Sequence, residues 1–288
     1  DTLRIDDPIA ACYGPRMTSR VASWVAAVWL GAAAVGSVTY AAESARAILD
    51  RAKALEEGER KWSDRHERVK LVISGGVGGD RIRELDIFEK KTPKADPHQK
   101  QLLVFASPPE VQGTAFLAHL HRGRAAEQWL YLPALKRVRQ IVAQMRNESF
   151  VGTDLSNKDL DIIADLATWT EDDAASSLLD DTTIDGVLCH QIALTPKRPD
   201  IGYPKLIVAL GKDDLVVRGL KFFDDNGLKK SLEQTKIEKT GAIPVGRLVR
   251  VETPAANTRT TIEIQTVEFD QGLDDARFMH ANLERGEE

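Results

Sequence analysis

The residues of this chain whose types and spacing allow chemistry begin with a pair of histidines, His119 and His121. They are separated by one residue in an apolar run, so a β-strand would place both side chains on one face. Such a pair can belong to a zinc site, but tetrahedral zinc needs further protein ligands, and none is evident nearby. We therefore predict that the chain binds no metal.

Carboxylates concentrated in a short segment are the next candidates, because they can bind calcium. The segment from residue 154 to residue 165 contains Asp154, Asp159, Asp161 and Asp165. An EF-hand loop needs glycine where Asp159 stands, so the spacing of a calcium loop is not met. We interpret the cluster as acidic residues near a helix N-terminus, where the helix dipole stabilises negative charge.

The other residues give little support for nucleophilic catalysis or for nucleotide binding. Cys189 and His190 are adjacent, and adjacent residues of a strand point to opposite faces, which argues against a Cys/His nucleophile pair. The glycine-rich residues 75–80 lack the Lys-Ser/Thr of a phosphate loop and are predicted to form a hairpin loop. Signatures of the G-x-S-x-G, H-E-x-x-H and paired-carboxylate types are absent from the sequence. The prediction is a non-enzymatic protein without catalytic residues or cofactor.

Composition limits the classes to which the chain can belong. Of its 288 residues, 42% are hydrophobic and 29% are charged, which suits one large globular domain or at most two. The net charge of -5 is spread along the chain without a basic tail, so nucleic-acid binding is not supported. The mean hydropathy of -0.29 argues against a polytopic membrane protein.

The N-terminal residues have the pattern of a secretory signal. Residues 21–40 carry no charge, Arg16 and Arg20 precede them, and Ala41 and Ala42 follow. A cleavable signal peptide is therefore predicted. The alternative is an uncleaved anchor in the inner membrane, because the apolar run is nearly long enough to span a bilayer.

The predicted organisation follows from a translation start at Met17. Residues 1–16 would be a non-native upstream extension, residues 17–42 the signal peptide, and residues 43–288 one domain. Cleavage would leave Cys189 as the single cysteine, so no intrachain disulfide is expected. The expected location is the periplasm.

The elements that must position any site are one helix followed by many strands. Apolar residues recur at helical spacing over residues 44–58, with Ser44 as N-cap and Gly58 as the stop. This helix is interpreted either as an ordinary packing helix or as one laid across the mouth of a barrel. Residues 157–179 are predicted to be helical or irregular, with Ile163 on an apolar stripe. The Asp225-Asn226-Gly227 turn predicts a hairpin.

Short strands joined by turn residues predict an antiparallel meander. A curved sheet of this length either packs solid or encloses an apolar cavity. Strand alternation and the apolar loop near residue 150 give the candidate cavity residues, which are Phe105, Phe116, Leu120, Trp129, Tyr131, Phe150, Leu220 and Phe222. Core packing is the alternative role for the aromatic members of this set.

A basic cluster follows the aromatic strand end and consists of Lys136, Arg137 and Arg139. It is interpreted either as a solvated strand face or as a rim that meets anionic headgroups or an acidic partner.

Taken together, these motifs resemble a known family. They read F-x-x-P-P-x-V-x-G-T-A-F-L from Phe105, then W-L-Y-L-P-A-L-K-R-V-R from Trp129, then S-F-x-G-T-D-L-S from Ser149. A further match is G-L-D-D-x-x-F at Gly272 to Phe278. They are similar to the outer membrane lipoprotein-sorting protein family, whose relatives are the LolA-like periplasmic lipoprotein carriers. The resemblance covers residues 47–285.

The resemblance implies a fold and a function. The implied fold is mainly β, an incomplete and strongly curved antiparallel β-barrel covered by short α-helices. The implied function is a periplasmic carrier that binds lipoprotein acyl chains or other hydrophobic cargo. It would pass this cargo toward the outer membrane or an export system of the RND/MMPL type. Partners would be an inner-membrane transporter or an outer-membrane acceptor. The alternative is a periplasmic sensor or adaptor of the same fold that binds a protein.

Overall fold

A computed structural model describes residues 43–76 and 79–283, and most of these residues lie in β-strands. The helices are α1 (Ala45–Glu57) and α2 (Asn157–Asp165). The strands are β1 (Asp64–Ser74), β2 (Arg81–Lys91), β3 (Gln99–Ser107), β4 (Ala115–His121), β5 (Arg124–Leu132), β6 (Arg137–Gln140), β7 (Ala174–Ile184), β8 (Val187–Pro196), β9 (Lys205–Gly211), β10 (Val217–Asp224), β11 (Gly227–Thr240), β12 (Ile243–Thr253) and β13 (Thr258–Phe269).

All strands belong to one antiparallel sheet, with the order β6-β5-β4-β3-β2-β1-β13-β12-β11-β10-β9-β8-β7. The sheet is curved and unclosed, with β6 at one edge and β7 at the other. The predicted fold class is confirmed. Because β6 and β7 lie at opposite edges, residues 141–173 between them must cross one face of the sheet. This crossing segment carries α2.

The local signals for α1 and for the hairpins are confirmed. Ser44 caps α1, and its Oγ accepts a hydrogen bond from the backbone N of Ala47 at 3.2 Å. The helix ends at Gly58, as predicted. The turn at Asp225 and Asn226 joins β10 to β11, whose end residues Asp224 and Gly227 pair.

Two expectations about the middle of the chain are wrong. Residues 174–179 were expected to be helical or irregular, but they begin strand β7. An edge strand is solvated on one side, so β7 is mostly exposed and lacks a buried apolar alternation. On α2, Ile162 is 2% exposed whereas Ile163 is 37% exposed, so the apolar stripe runs through Ile162.

The predicted upstream extension and signal peptide, residues 1–42, lie outside the described residues, as do residues 77–78 of the β1–β2 hairpin loop.

Across the described ranges 43–76 and 79–283, no helix is both long and apolar enough to cross a bilayer.

Candidate ligand-binding site

The face of the sheet that carries α1 and α2 has a solid half, which we call the Phe150 cluster. Its buried members are Val69, Leu71, Leu85, Leu103, Phe105, Phe116, Ala118, Leu120, Ile141 and Phe150. Phe150 enters this cluster from the crossing segment, and its ring centroid lies 5.1 Å from that of Phe116 and 6.0 Å from that of Phe105. Phe105 and Phe116 are 1% and 0% exposed, so the aromatic rings fill this half.

The loop that delivers Phe150 is held by its own short polar side chains. Thr153 Oγ1 donates a hydrogen bond to the carbonyl of Phe150 at 2.8 Å, and Ser149 Oγ donates to the carbonyl of Thr153 at 2.6 Å. Gly152 has a φ of +76°, a left-handed conformation that favours glycine. The S-F-V-G-T motif is therefore the part of the crossing segment that places an aromatic plug on the sheet.

The other half of the same face contains a cavity of about 270 Å³, which we call the α1 cavity. It lies between α1, the end of the crossing segment, strands β8 and β9, and the loop after β9. Its apolar lining consists of Leu49, Ala52, Leu166, Ala167, Trp169, Ala174, Leu194, Val208, Leu210, Leu215, Val216, Val217 and Pro244. Charged and polar groups complete the boundary: Arg46, Lys53, Glu56, Arg65, Thr170 and Gln234.

Helix α1 forms one wall of this cavity and is fastened by few polar contacts. Arg46 Nη1 donates to the carbonyl of Trp169 at 3.4 Å, and Lys53 Nζ donates to the carbonyl of Thr168 at 3.3 Å. Both bonds are long for N–H···O geometry. The apolar anchor is Ile48, which is fully buried. The helix thus packs into the buried cluster through Ile48 and also borders the cavity, so the structure fits both interpretations given for it.

Helix α2 is held between the halves by buried carboxylates. Asp159 accepts hydrogen bonds from Tyr203 Oη and Lys230 Nζ, each at 2.6 Å, on the side of the α1 cavity. Asp161 accepts from Gln128 Nε2 at 2.7 Å and from Arg146 Nη2 on the side of the Phe150 cluster. Burial raises the pKa of Asp161 to about 6, against the opposing effect of Arg146.

The acidic cluster of the sequence therefore has a structural role. Asp159 and Ser156 form a capping box at the start of α2, which agrees with the helix N-terminal interpretation. Asp154 accepts hydrogen bonds from the hydroxyls of Thr258 and Thr260 on β13. No group of His, Cys, Asp and Glu able to hold a metal ion occurs among the described residues.

The structure brings some of the predicted cavity residues together, but not around the α1 cavity. Phe105, Phe116, Leu120 and Phe150 meet in the Phe150 cluster. Leu220 and Phe222 belong to the buried cluster that continues from the α1 cavity, packed with its lining residues. Within the described part of the chain, none of the predicted residues lines the α1 cavity itself.

The positions of Trp129 and Tyr131 differ from the prediction that they line the cavity. In the β4–β5 register, Leu117 pairs with Trp129, whereas Phe116 pairs with Leu130. Trp129 and Tyr131 therefore lie on the opposite face from Phe116, packed against a cluster that includes Phe278. The expectation that they share a face with Phe116 is wrong, because a change of one position in strand parity exchanges the faces.

The basic cluster lies at the free edge of the sheet. Lys136, Arg137 and Arg139 are all exposed, and Arg137 and Arg139 belong to the edge strand β6. Among the described residues, none of the three forms an ion pair or a side-chain hydrogen bond. Leu135, next to them, is 57% exposed. The role of these three residues as a rim for anionic headgroups or an acidic partner stays a prediction.

The histidines and the cysteine do not form a reactive centre. A bulge separates His119 from His121. His119 Nε2 lies 2.7 Å from the carbonyl of Phe278, whereas His121 contacts Asp96. Cys189 is fully buried, and burial raises the pKa of its thiol, which disfavours the nucleophilic thiolate.

The sequence interpretation missed the residues that line the cavity. Val208 and Leu210 of β9 share one face by strand alternation, and this signal was present in the sequence. Leu49 and Ala52 lie in the predicted helix over residues 44–58, but no sequence pattern indicates the residues that they face across the cavity. Trp169 lines the cavity from an irregular segment, where no periodic pattern marks it.

Comparison with known proteins now assigns the family. A family model of the DUF1329-like type, described as "Uncharacterized protein", matches residues 97–285, which is more than half of the chain. The chain belongs to this DUF1329 family. The resemblance inferred from the motifs is confirmed. None of the curated proteins matches the chain.

Solved structures place the DUF1329 chain among LolA-like folds. The crystal structure of a DUF1329 family protein from Desulfovibrio piger matches at a TM-score of 0.74 and 27% identity, over 83% of this chain and 98% of that one. A structure named for an outer membrane lipoprotein-sorting protein domain, from Vibrio parahaemolyticus, matches at 0.73 and 25%, over 83% and 97%. A LolA superfamily protein from Nitrosomonas europaea matches at 0.61 and 13%, over 83% and 99%, and shows the shared fold alone.

Proposed function

We propose that this DUF1329 protein is a non-enzymatic carrier of hydrophobic cargo, and that the α1 cavity holds an acyl chain of a lipoprotein or lipid. The observation that carries the proposal is the cavity of about 270 Å³ with its mainly apolar lining. An apolar cavity of about 150 Å³ already accepts a benzene molecule. Each methylene that enters contributes about 0.8 kcal/mol without requiring directional contacts.

A carrier must also release its cargo, and the attachment of α1 supports this step. The helix is fastened to the crossing segment by the long hydrogen bonds of Arg46 and Lys53. Movement of α1 would open the cavity without breaking strand pairing. A lid of this kind is drawn from the less stable parts of a fold.

The proposed location and route extend the same idea. The protein would be exported by the signal peptide predicted at residues 17–42 and would act in the periplasm. It would pass cargo toward the outer membrane or an RND/MMPL-type export system, with an inner-membrane transporter or an outer-membrane acceptor as partner. The sorting function named for the Vibrio parahaemolyticus relative supports this direction.

The test compares a pair of substitutions on α1. Ala52 lines the cavity, whereas Ala54, on the same helix, is exposed. The full chain is purified without detergent, incubated with liposomes and measured by native mass spectrometry. We expect wild type and Ala54→Trp to carry a lipid-sized mass, and Ala52→Trp to lose it because the indole occupies the cavity. A wild-type protein that takes up no lipid, or an Ala52→Trp variant that binds normally, would contradict the carrier.

A second candidate function is a periplasmic sensor or adaptor that binds a protein. It is favoured by the exposed basic residues at the β6 edge, Lys136, Arg137 and Arg139, which have no ionic partner among the described residues. In the carrier, the same residues would meet anionic headgroups or an acidic partner. Replacement of all three by glutamine separates the candidates. An adaptor would lose its partner while a carrier would still take up lipid.

A further inference from the structure

A second and much smaller cavity adjoins the α1 cavity. Its volume is about 20 Å³, and Trp169 lines both cavities. Lys158 and Arg198 also line it. We call these three residues the donor niche, because each presents a hydrogen-bond donor and none presents a side-chain acceptor.

Two buried donor atoms, Trp169 Nε1 and Arg198 Nη1, lack acceptors. Trp169 is 5% exposed, and its Nε1 has no hydrogen-bond partner among the described residues. The same holds for Arg198 Nη1, whose nearest carboxylate oxygens, on Asp165 and Asp173, are 3.8 Å away. Both Arg198 distances exceed hydrogen-bond length. Buried donors are almost always paired with protein or water, so this pair points to an acceptor from outside the chain, either a water molecule or a group of a ligand.

Lys158 adds a charge that is weakly compensated. It is 8% exposed, and its Nζ lies 4.0 Å from the ring centroid of Tyr203 and 3.4 Å from the carbonyl of Gly202. No carboxylate oxygen lies within ion-pair distance of this Nζ in the part of the chain that the structure describes. Burial lowers the pKa of Lys158, and the neighbouring carboxylate of Asp159 opposes this effect.

The acidic residues on the same boundary are already bonded. Asp161 accepts from Arg146 and Gln128, and Asp165 accepts from Thr168 Oγ1 at 2.6 Å. Asp200, which also lines this cavity, accepts from Arg198 Nε at 3.2 Å and from Arg198 Nη2 at 2.7 Å. An entering anion would therefore meet the unpaired Trp169 Nε1 and Arg198 Nη1 beside the Lys158 ammonium, while the lining carboxylates already accept hydrogen bonds from their own partners.

We propose that the donor niche binds the carboxylate of a fatty-acid-like amphiphile whose hydrocarbon chain lies in the α1 cavity. The inference rests on the proposed function, and it adds the chemical class of the cargo. The small cavity that the donor niche lines has a volume of about 20 Å³, only slightly larger than the roughly 10–15 Å³ that one water needs. A space of this size admits a small planar carboxylate more readily than the bulkier tetrahedral phosphate group.

The test is calorimetric titration of the full chain with decanoate, decan-1-ol and decyl phosphate at pH 7.5, below their aggregation concentrations. We expect wild type to bind decanoate about tenfold or more tightly than decan-1-ol, because charge-assisted hydrogen bonds form to the carboxylate but not to the neutral hydroxyl. Lys158→Met should reduce this preference while leaving the affinity for decan-1-ol nearly unchanged. Trp169→Phe also changes the lining of the α1 cavity, so for this variant the expected result is a lower ratio of decanoate affinity to decan-1-ol affinity. Lys94→Met replaces an exposed lysine in the turn after β2 and should keep the full preference.

Each other outcome is decisive. Equal binding of decanoate and decan-1-ol by wild type overturns the donor niche and leaves the carrier standing. A preference that survives both niche substitutions also overturns it, as does tighter binding of decyl phosphate than of decanoate. Failure of all three amphiphiles to bind would contradict both the carrier function and the carboxylate site at the donor niche.

Discussion

The halves of the helix-covered face differ in what fills them, although they belong to one sheet. On β1 to β4, Phe150 from the crossing segment closes the space over Phe105 and Phe116. On β8 and β9, the corresponding space is covered by α1 and remains a cavity of about 270 Å³. Both halves of this face carry an apolar cluster, so the covering element decides whether that part of the face becomes core or binding site.

The crossing segment connects the halves, since α2 is bonded to both. Asp159 reaches Tyr203 and Lys230 next to the α1 cavity, whereas Asp161 reaches Gln128 and Arg146 next to the Phe150 cluster. The solid half thus provides the fixed base to which the crossing segment is attached. The cavity half has the more weakly fastened cover.

The largest effect is expected from removing the plug. Phe150→Ala should lower the free energy of unfolding by about 3–5 kcal/mol, because it deletes a buried ring and leaves a void beside Phe116. Urea unfolding with linear extrapolation measures this change. Leu135→Ala, at a position 57% exposed, should change it by less than about 0.5 kcal/mol. A loss below about 1 kcal/mol for Phe150→Ala would mean that the Phe150 ring does not fill the space over Phe105 and Phe116.

A smaller effect is expected from the attachment of α2 to the solid half. The pKa of Asp161 is about 6 in the folded protein, above the ordinary value of 3.8, so the unfolded chain releases this proton first. The contribution of Asp161 is present below about pH 4 and is lost as the pH rises through about 6, a change of about 2–3 kcal/mol. Asp161→Asn cannot titrate.

The free energies of unfolding of the wild type and of Asp161→Asn are therefore compared across this range. The difference, variant minus wild type, should rise between about pH 4 and pH 6.5 and then stay constant. A difference that is independent of pH would mean that Asp161 is solvated, and that α2 is less firmly held to the solid half than the contacts of Gln128 and Arg146 indicate.

The smallest effects are expected to differ in sign between the halves. Ala118 is 1% exposed within the Phe150 cluster, and Ala118→Leu should destabilise by about 1–3 kcal/mol through overpacking. Ala52 lines the α1 cavity, and Ala52→Leu should stabilise by about 0.5–2 kcal/mol by filling it. Thermal and urea unfolding of the two variants and the wild type measure both changes in stability. Destabilisation by both substitutions would mean that the space beside Ala52 is as fully packed as the space beside Ala118.

Much of the fold follows from local signals in the sequence. The capping by Ser44, the stop at Gly58 and the turn at Asp225-Asn226 each depend on neighbouring residues alone, and each is confirmed. The mainly β class follows from the same kind of pattern. Strand β7 was missed because an exposed edge strand has no buried face to produce an apolar alternation.

The candidate site depends on contacts that a local pattern does not contain. The sequence by itself determined most of the elements, the apolar residues and the absence of known catalytic signatures. Only the tertiary structure decided that Trp129 lies on the opposite face, that Phe150 plugs one half, and that Trp169 lines the cavity in the other. The physical reason is that strand parity and the path of the crossing segment are fixed by long-range packing, where a shift of one residue exchanges the faces of a strand.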